Sequence, residues 1–234
     1  IDGLFILTWR SHLPLIHLLE LYPTSIPPVA LFNDYDRGIQ ANFVYCDVRK
    51  GIRIAVDYVA RGLKKTRIAY LGGPRVHEST LTKNSKAAIE AIDPYEKYEG
   101  FKEGMMLAGI SIRPEWVKEC SGYNREEGRR QTRELLSQPD LPEAIICAND
   151  EIAMGTLEVL KARGIQCPEQ VALVGFDGIS DGERVRPALT TIRQPLIEMG
   201  EEAGRIILRV LEGKSGVKVI HKAFEPELLI RESA

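Results

Sequence analysis

The chain has 234 residues, 44% of them hydrophobic and 27% charged, with a formal net charge of −2 and a pI near 6.2. This is the make-up of an ordinary globular protein, long enough for one large domain or two small ones. It excludes direct attraction to nucleic acid or an anionic membrane through net charge, and no apolar run reaches membrane-spanning length.

In chain order, IDGLFIL (Ile1 to Leu7) reads as a strand, without the basic and apolar pattern of an export leader ahead of it. A weakly helical stretch from His12 to Leu21 follows, then a turn at Pro27 and Pro28 and a strand from Val29 to Phe32. Asn42 to Asp47 reads as a strand. The next helix, Lys50 to Arg61, places Ile52, Ala55, Val56 and Val59 at the spacing of one buried face, with Gly62 as its stop. Arg67 to Leu71 is a strand closed by Gly72, Gly73 and Pro74. The segment from Arg75 to Asp93 fits a short helix or a loop equally. A helix from Tyr98 to Leu107, a strand from Trp116 to Cys120 and a helix from Glu126 to Ser137 come next.

The stretch from Glu143 to Gly178 is the most informative. An apolar strand (Ala144 to Cys147), a helix running to Arg163 and Gly164, and a second apolar strand (Val171 to Val174) form a parallel crossover buried on both faces. Ligands of such sheets sit beyond the carboxyl ends of the strands, which here carry Asn149, Asp150 and Asp177. LTTIRQP (Leu189 to Pro195) is a short strand. A long amphipathic helix then runs from Leu196 to Leu211, and strands at Val217 to Ile220 and Leu228 to Ile230 end the chain. Strand and helix alternate throughout, as in an α/β fold.

Single residues have plain readings. Either Asn149 or Asp150 is the N-cap of the following helix, Asp177 is a turn residue before Gly178, Tyr123 is a half-buried aromatic and Lys97 is a solvated charge. The four cysteines are widely spaced, lack metal spacing and read as reduced packing thiols of a cytoplasmic protein. There is no P-loop, dinucleotide fingerprint, nucleophile elbow or histidine metal spacing, so the chain is not expected to be an enzyme or to need a cofactor or metal.

In order, Asp47 and Gly51 (D-x-x-x-G), RIAYLGGP (Arg67 to Pro74), YEGFKEGMMLAGI (Tyr98 to Ile110), AND-E-A-G (Ala148 to Gly155), VALVGFDG (Val171 to Gly178), LTTIRQP and the closing PELLIRES (Pro226 to Ser233) resemble the effector-binding core of the lactose/galactose repressor family. The resemblance covers nearly the whole chain. It implies a periplasmic-binding-protein-like fold of type I: two Rossmann-like subdomains with parallel sheets, residues 1–62 plus 195–220 and residues 63–194 plus 221–234. It further implies a saccharide or similar small polar effector bound in the cleft between them. The binding residues implied are Asn149, Asp177, Tyr123, Lys97 and Gln194, with Thr8, Trp9 and Asp47 from the other subdomain.

Two features depart from the family pattern. Lys97 stands where members usually carry arginine, and the stretch from Pro74 to Lys97 is longer than usual. The family's helix-turn-helix headpiece and first two strand–helix units are missing ahead of Ile1, so the chain is expected to be part of a longer or truncated protein. The partners implied are a small-molecule effector, a second copy in a homodimer and operator DNA through the missing headpiece, with no membrane. A periplasmic sugar receptor of a transport system is the alternative reading.

Overall fold

Apolar runs too short for helices, bounded by glycine or polar residues, become the central strands, and the amphipathic stretches between them cover the sheets. The computed structural model of the chain describes residues 5–7, 29–31, 41–74, 92–212 and 219–234. It divides into two compact units, Ile1–Asp47 with Val76–Asp93 and Pro195–Glu225, and Val48–Arg75 with Pro94–Gln194 and Pro226–Ala234.

In the first unit, strands β1 (Phe5–Leu7), β2 (Val29–Leu31), β3 (Asn42–Cys46) and β9 (His221–Phe224) form a parallel sheet in that order. Helix α6 (Leu196–Leu211) buries Met199, Ala203 and Ile206 against Val29, Val44 and Cys46, the face its sequence periodicity marks.

The second unit holds α1 (Val48–Asp57), β4 (Ile68–Gly72), β5 (Val117–Glu119), α3 (Arg125–Leu135), β6 (Ala144–Cys147), α4 (Asp150–Ala162), β7 (Ala172–Asp177), the single turn α5 (Asp181–Arg184), β8 (Thr190–Arg193) and β10 (Glu227–Leu229). Helix α2 (Ile92–Leu107) begins at the boundary and runs into this unit. The strand order is β10-β8-β7-β6-β4-β5, parallel except for β10. β4 and β6 are buried at every position.

The boundaries expected at 62/63 and 220/221 fall at 47/48 and 225/226. α1 is packed by Val48, Ile52, Ala55 and Val56 into the second unit's core, and its Gly51 lies so close to Phe176 that a Cβ would come within 2.7 Å of the ring. β9 pairs with β3, which keeps residues 221–224 in the first unit.

Several elements differ from the sequence reading. The strand expected at 217–220 falls partly outside the described residues, and the strand described next to it is His221–Phe224. Pro114–Trp116 form a 3₁₀ turn, so the strand expected from Trp116 begins at Val117. Residues Tyr58–Gly62 continue α1 as a wider π turn, and Lys64, rather than Gly62, takes positive φ (55°) after it. The four cysteines form no disulfide, and burial pushes the Cys120 and Cys167 thiols up to about 12 and raises Cys147 as well, which keeps these three protonated and inert. Among the described residues no helix is long and apolar enough to cross a membrane.

The C-terminal tail closes the second unit. Ser233 is fully buried; its Oγ accepts from Thr190 N (2.8 Å) and donates to Leu173 O (2.6 Å), while its carbonyl accepts from Leu173 N (2.7 Å). It therefore bridges β7 and β8. Ser233→Ala strands one buried N–H and one buried C=O and is expected to cost about 1–3 kcal/mol in urea unfolding. A loss under a few tenths of a kcal/mol would show the tail to be dispensable.

Candidate functional site

Because β8, β7, β6, β4 and β5 run parallel, their carboxyl ends share one edge of the second unit. Along that edge stand Gln194 after β8, Asp177 ending β7, Asn149 after β6, Gly73 after β4 and Tyr123 in the turn after β5. Five of the expected binding residues are thus gathered here, since Lys97 reaches the same edge from α2.

Asn149 realises its plain reading. It is the N-cap of α4: its Oδ1 accepts from Ile152 N (2.8 Å), and its Nδ2 donates to Tyr123 O (3.4 Å). The amide therefore ties the start of α4 to the turn that carries Tyr123. The Tyr123 ring lies against the backbone of Gly73, where any Cβ would overlap ring atoms. Glycine at 73 is what lets an aromatic lie flat on this edge.

Lys97 overturns its plain reading. It is not a solvated charge but only 3% exposed. Its Nζ donates to Ala148 O (3.0 Å) and sits 4.3 Å from the centroid of the Phe176 ring and 5.5 Å from that of Tyr123. Burying an ammonium costs several kcal/mol, and the carbonyl and two ring faces offset part of it.

Asp177 has φ 107°, a left-handed backbone that non-glycine residues rarely adopt, followed by Gly178 at φ 77°. Its Oδ1 accepts from Gln194 Nε2 (2.8 Å), and its carbonyl from Gln194 N (3.2 Å). The buried Oε1 of Gln194 has no hydrogen-bond donor among the described residues.

Asp150, which the sequence reading sets at this edge as a ligand position and as the alternative N-cap, does not cap α4. It is fully buried, and its carboxylate accepts from Gly178 N and Ile179 N (2.8 Å each) and from Thr191 Oγ1 (2.6 Å). Burial pushes its carboxyl up to about 7, opposed by these hydrogen bonds and reinforced by the charge of Asp177.

Asp47 lies in the first unit, directly after β3, and is not among the residues gathered on this edge. Thr8 and Trp9 lie outside the described residues. Among the described residues no three of His, Cys, Asp and Glu are grouped as a metal site requires. The arrangement offers a carboxylate, an ammonium, two amides and an aromatic face: groups that bind hydroxyls and a ring, without a nucleophile–base pair.

The family of periplasmic binding protein-like domains matches residues 59–234. The HTH-type transcriptional repressor CytR of Escherichia coli is 28% identical over 236 aligned residues, which cover 100% of this chain and 62% of the repressor. The HTH-type transcriptional repressor PurR of Haemophilus influenzae is 36% identical over 139 residues, 58% of this chain and 41% of the repressor. The chain thus spans less than two thirds of the length of these curated relatives. Among solved structures, a transcriptional regulator CelR in complex with cellobiose superposes with a TM-score of 0.83 at 26% identity, covering 100% of this chain and 66% of that one.

Proposed function

The chain belongs to the family of periplasmic binding protein-like domains, as the effector-binding domain of a lactose/galactose-repressor-type regulator, and from that premise we propose that it binds a small polar metabolite, a saccharide or a close relative, to modulate DNA binding. The carboxyl edge of β4–β8 is the face of the second unit that meets the effector. The whole protein acts in the cytoplasm as a homodimer and meets its operator through a headpiece outside this chain.

The observation that carries the reading is Gln194. One end of its amide is fixed on Asp177 and the other, a buried carbonyl oxygen, has no donor among the described residues. A buried acceptor left so costs about 1–3 kcal/mol, which a ligand O–H or N–H recovers on binding. Asp177 beside it accepts hydroxyls, and Tyr123 offers a face for the C–H side of a sugar ring. The cellobiose held by the CelR structure is a ligand of this chemistry.

A thermal-shift screen of mono- and disaccharides, sugar phosphates and nucleosides tests the reading. A compound at about 100 times its Kd stabilises the native state by about 2.7 kcal/mol. One class is expected to raise the melting temperature of the wild type and to leave that of Asp177→Ala unmoved. In the full-length protein the same compound is expected to change operator affinity by about 5- to 150-fold, the range of a coupling of roughly 1–3 kcal/mol. A compound that binds while operator affinity stays constant defeats the regulatory reading.

A further inference from the structure

We propose that Asp150 is a positioning residue: its buried carboxylate holds the turn at 177–179 and so fixes the direction in which Asp177 points. What Asp177 is aimed at rests on the function proposed above; the latch itself does not.

The geometry begins with an unfavourable backbone. Asp177 and Gly178 take positive φ in succession (107° and 77°), and for a residue other than glycine that costs about 1–3 kcal/mol. Such a conformation persists where surrounding contacts over-determine it. Here the two amides that follow, Gly178 N and Ile179 N, both donate to one oxygen of Asp150 at 2.8 Å. Successive N–H groups turned onto one anion form a backbone nest. The other oxygen is held from β8 by Thr191 Oγ1 at 2.6 Å. Asp150 is the first residue of α4, where the helix dipole favours negative charge. Space for it comes from Gly175, since a Cβ there would run into its Oδ1. The run Gly175-Phe176-Asp177-Gly178 is therefore shaped around this carboxylate. One glycine admits it, and the other allows the turn it holds.

The groups facing Asp150 are few. From β7 comes the Asp177 carboxylate, from β6 the thiol of Cys147 and from β8 the uncharged Thr191. Glu151, next on the helix, is paired with Arg125 (2.9 Å). No cation is paired with Asp150 among the described residues, so backbone and hydroxyl donors carry the charge. Burial raises its carboxyl to about 7, above the ordinary 3.8. The native state thus takes up the proton more readily than the unfolded chain. The contribution to stability is complete below pH 4 and is lost as pH rises through about 7. Protonation also weakens the nest, because it turns an acceptor into a donor.

NMR titration of the labelled protein tests this without any ligand. In the wild type, the amide protons of Gly178 and Ile179 and the carboxyl carbon of Asp177 are expected to shift together with the carboxyl carbon of Asp150. In Asp150→Asn these shared steps disappear, and protection of the two amides from exchange falls by about 10- to 100-fold, the loss of a charge-assisted hydrogen bond. The decline of melting temperature between pH 5 and 8 is expected to flatten in the same variant. A residue that merely fills space would leave the exchange of the two amides unchanged. If the Asp150 carbon titrates in the wild type while the two amides and the Asp177 carbon stand still, the proposal is overturned. That arm needs no variant, so it decides even if Asp150→Asn does not fold, and its outcome is independent of whether a saccharide binds.

Discussion

Gly155→Ala is expected to destabilise the protein by about 3 kcal/mol, at the upper end of the usual overpacking cost. Helices α3 and α4 meet through a reciprocal glycine contact. A Cβ at Gly155 would land on the carbonyl oxygen of Arg125, and a Cβ at Gly128 on that of Ile152. Each obstacle is helix backbone, which cannot rotate aside as a side chain would, so one methyl group must move a whole helix. The approach also permits the buried bond from Thr132 Oγ1 to Thr156 Oγ1 (2.9 Å), which would stretch as the helices part. Gly128→Ala is expected to cost about as much. The double variant should cost less than the sum, because the first methyl group already opens the crossing. Gly204→Ala on α6 is the control: among the described residues nothing lies within 4 Å of its would-be Cβ, so it should gain about 0.5–1 kcal/mol from helix propensity alone. Urea unfolding of the four variants beside the wild type decides. Equal stability of Gly155→Ala and wild type would mean that the helices are free to separate. The crossing matters for the site because α4 is capped by Asn149, whose side-chain amide reaches Tyr123 O just before α3.

Periodicity and strand exits make the carboxyl edge readable in the sequence. The apolar runs at 144–147 and 171–174 became β6 and β7, and Gly164, which the pattern marks as the stop of α4, takes φ 68° just after it. Asn149 and Asp177 then follow from a rule about where parallel strands end. What each side chain touches did not follow. Lys97 has no local signal of burial; Phe176 and Tyr123 enclose it, 79 and 26 residues further along the chain. Its setting was obscured further because α2 begins at Ile92, six residues before the expected Tyr98, with Pro94 in the first turn, where a missing N–H costs nothing. Asp150 was equally hidden, since the N-cap reading explained Asn-Asp at a helix start and left no reason to look for a nest on another strand. The helical turn at Asp181–Arg184 is too short for any periodic signal.

Lys97→Met is expected to separate stability from binding. Lysine is an expensive residue for this position. Its ammonium is almost fully desolvated, and among the contacts seen here are a backbone carbonyl at 3.0 Å and the faces of two rings. Methionine keeps the length and flexibility of the stem, fills the space between Phe176 and Tyr123 and removes the charge. The variant should therefore unfold within about 1 kcal/mol of the wild type, or above it, as replacements of buried ions by apolar isosteres often do. Lys97→Ala lacks the stem and should lose about 2–4 kcal/mol to the cavity and the abandoned carbonyl. The two variants have lost the same cation, so both should bind an effector about 100-fold more weakly, the loss of a desolvated charge-assisted hydrogen bond. At a concentration that gives the wild type about 2.7 kcal/mol of stabilisation, such a variant keeps only about 0.4 kcal/mol. A methionine variant that is stable yet silent to the effector places the ammonium in recognition, and one that keeps the full thermal shift makes Lys97 a packing residue. The first result is expected because a desolvated ammonium at the carboxyl edge, beside Asp177 and Gln194, suits a polar ligand oxygen better than any apolar isostere does.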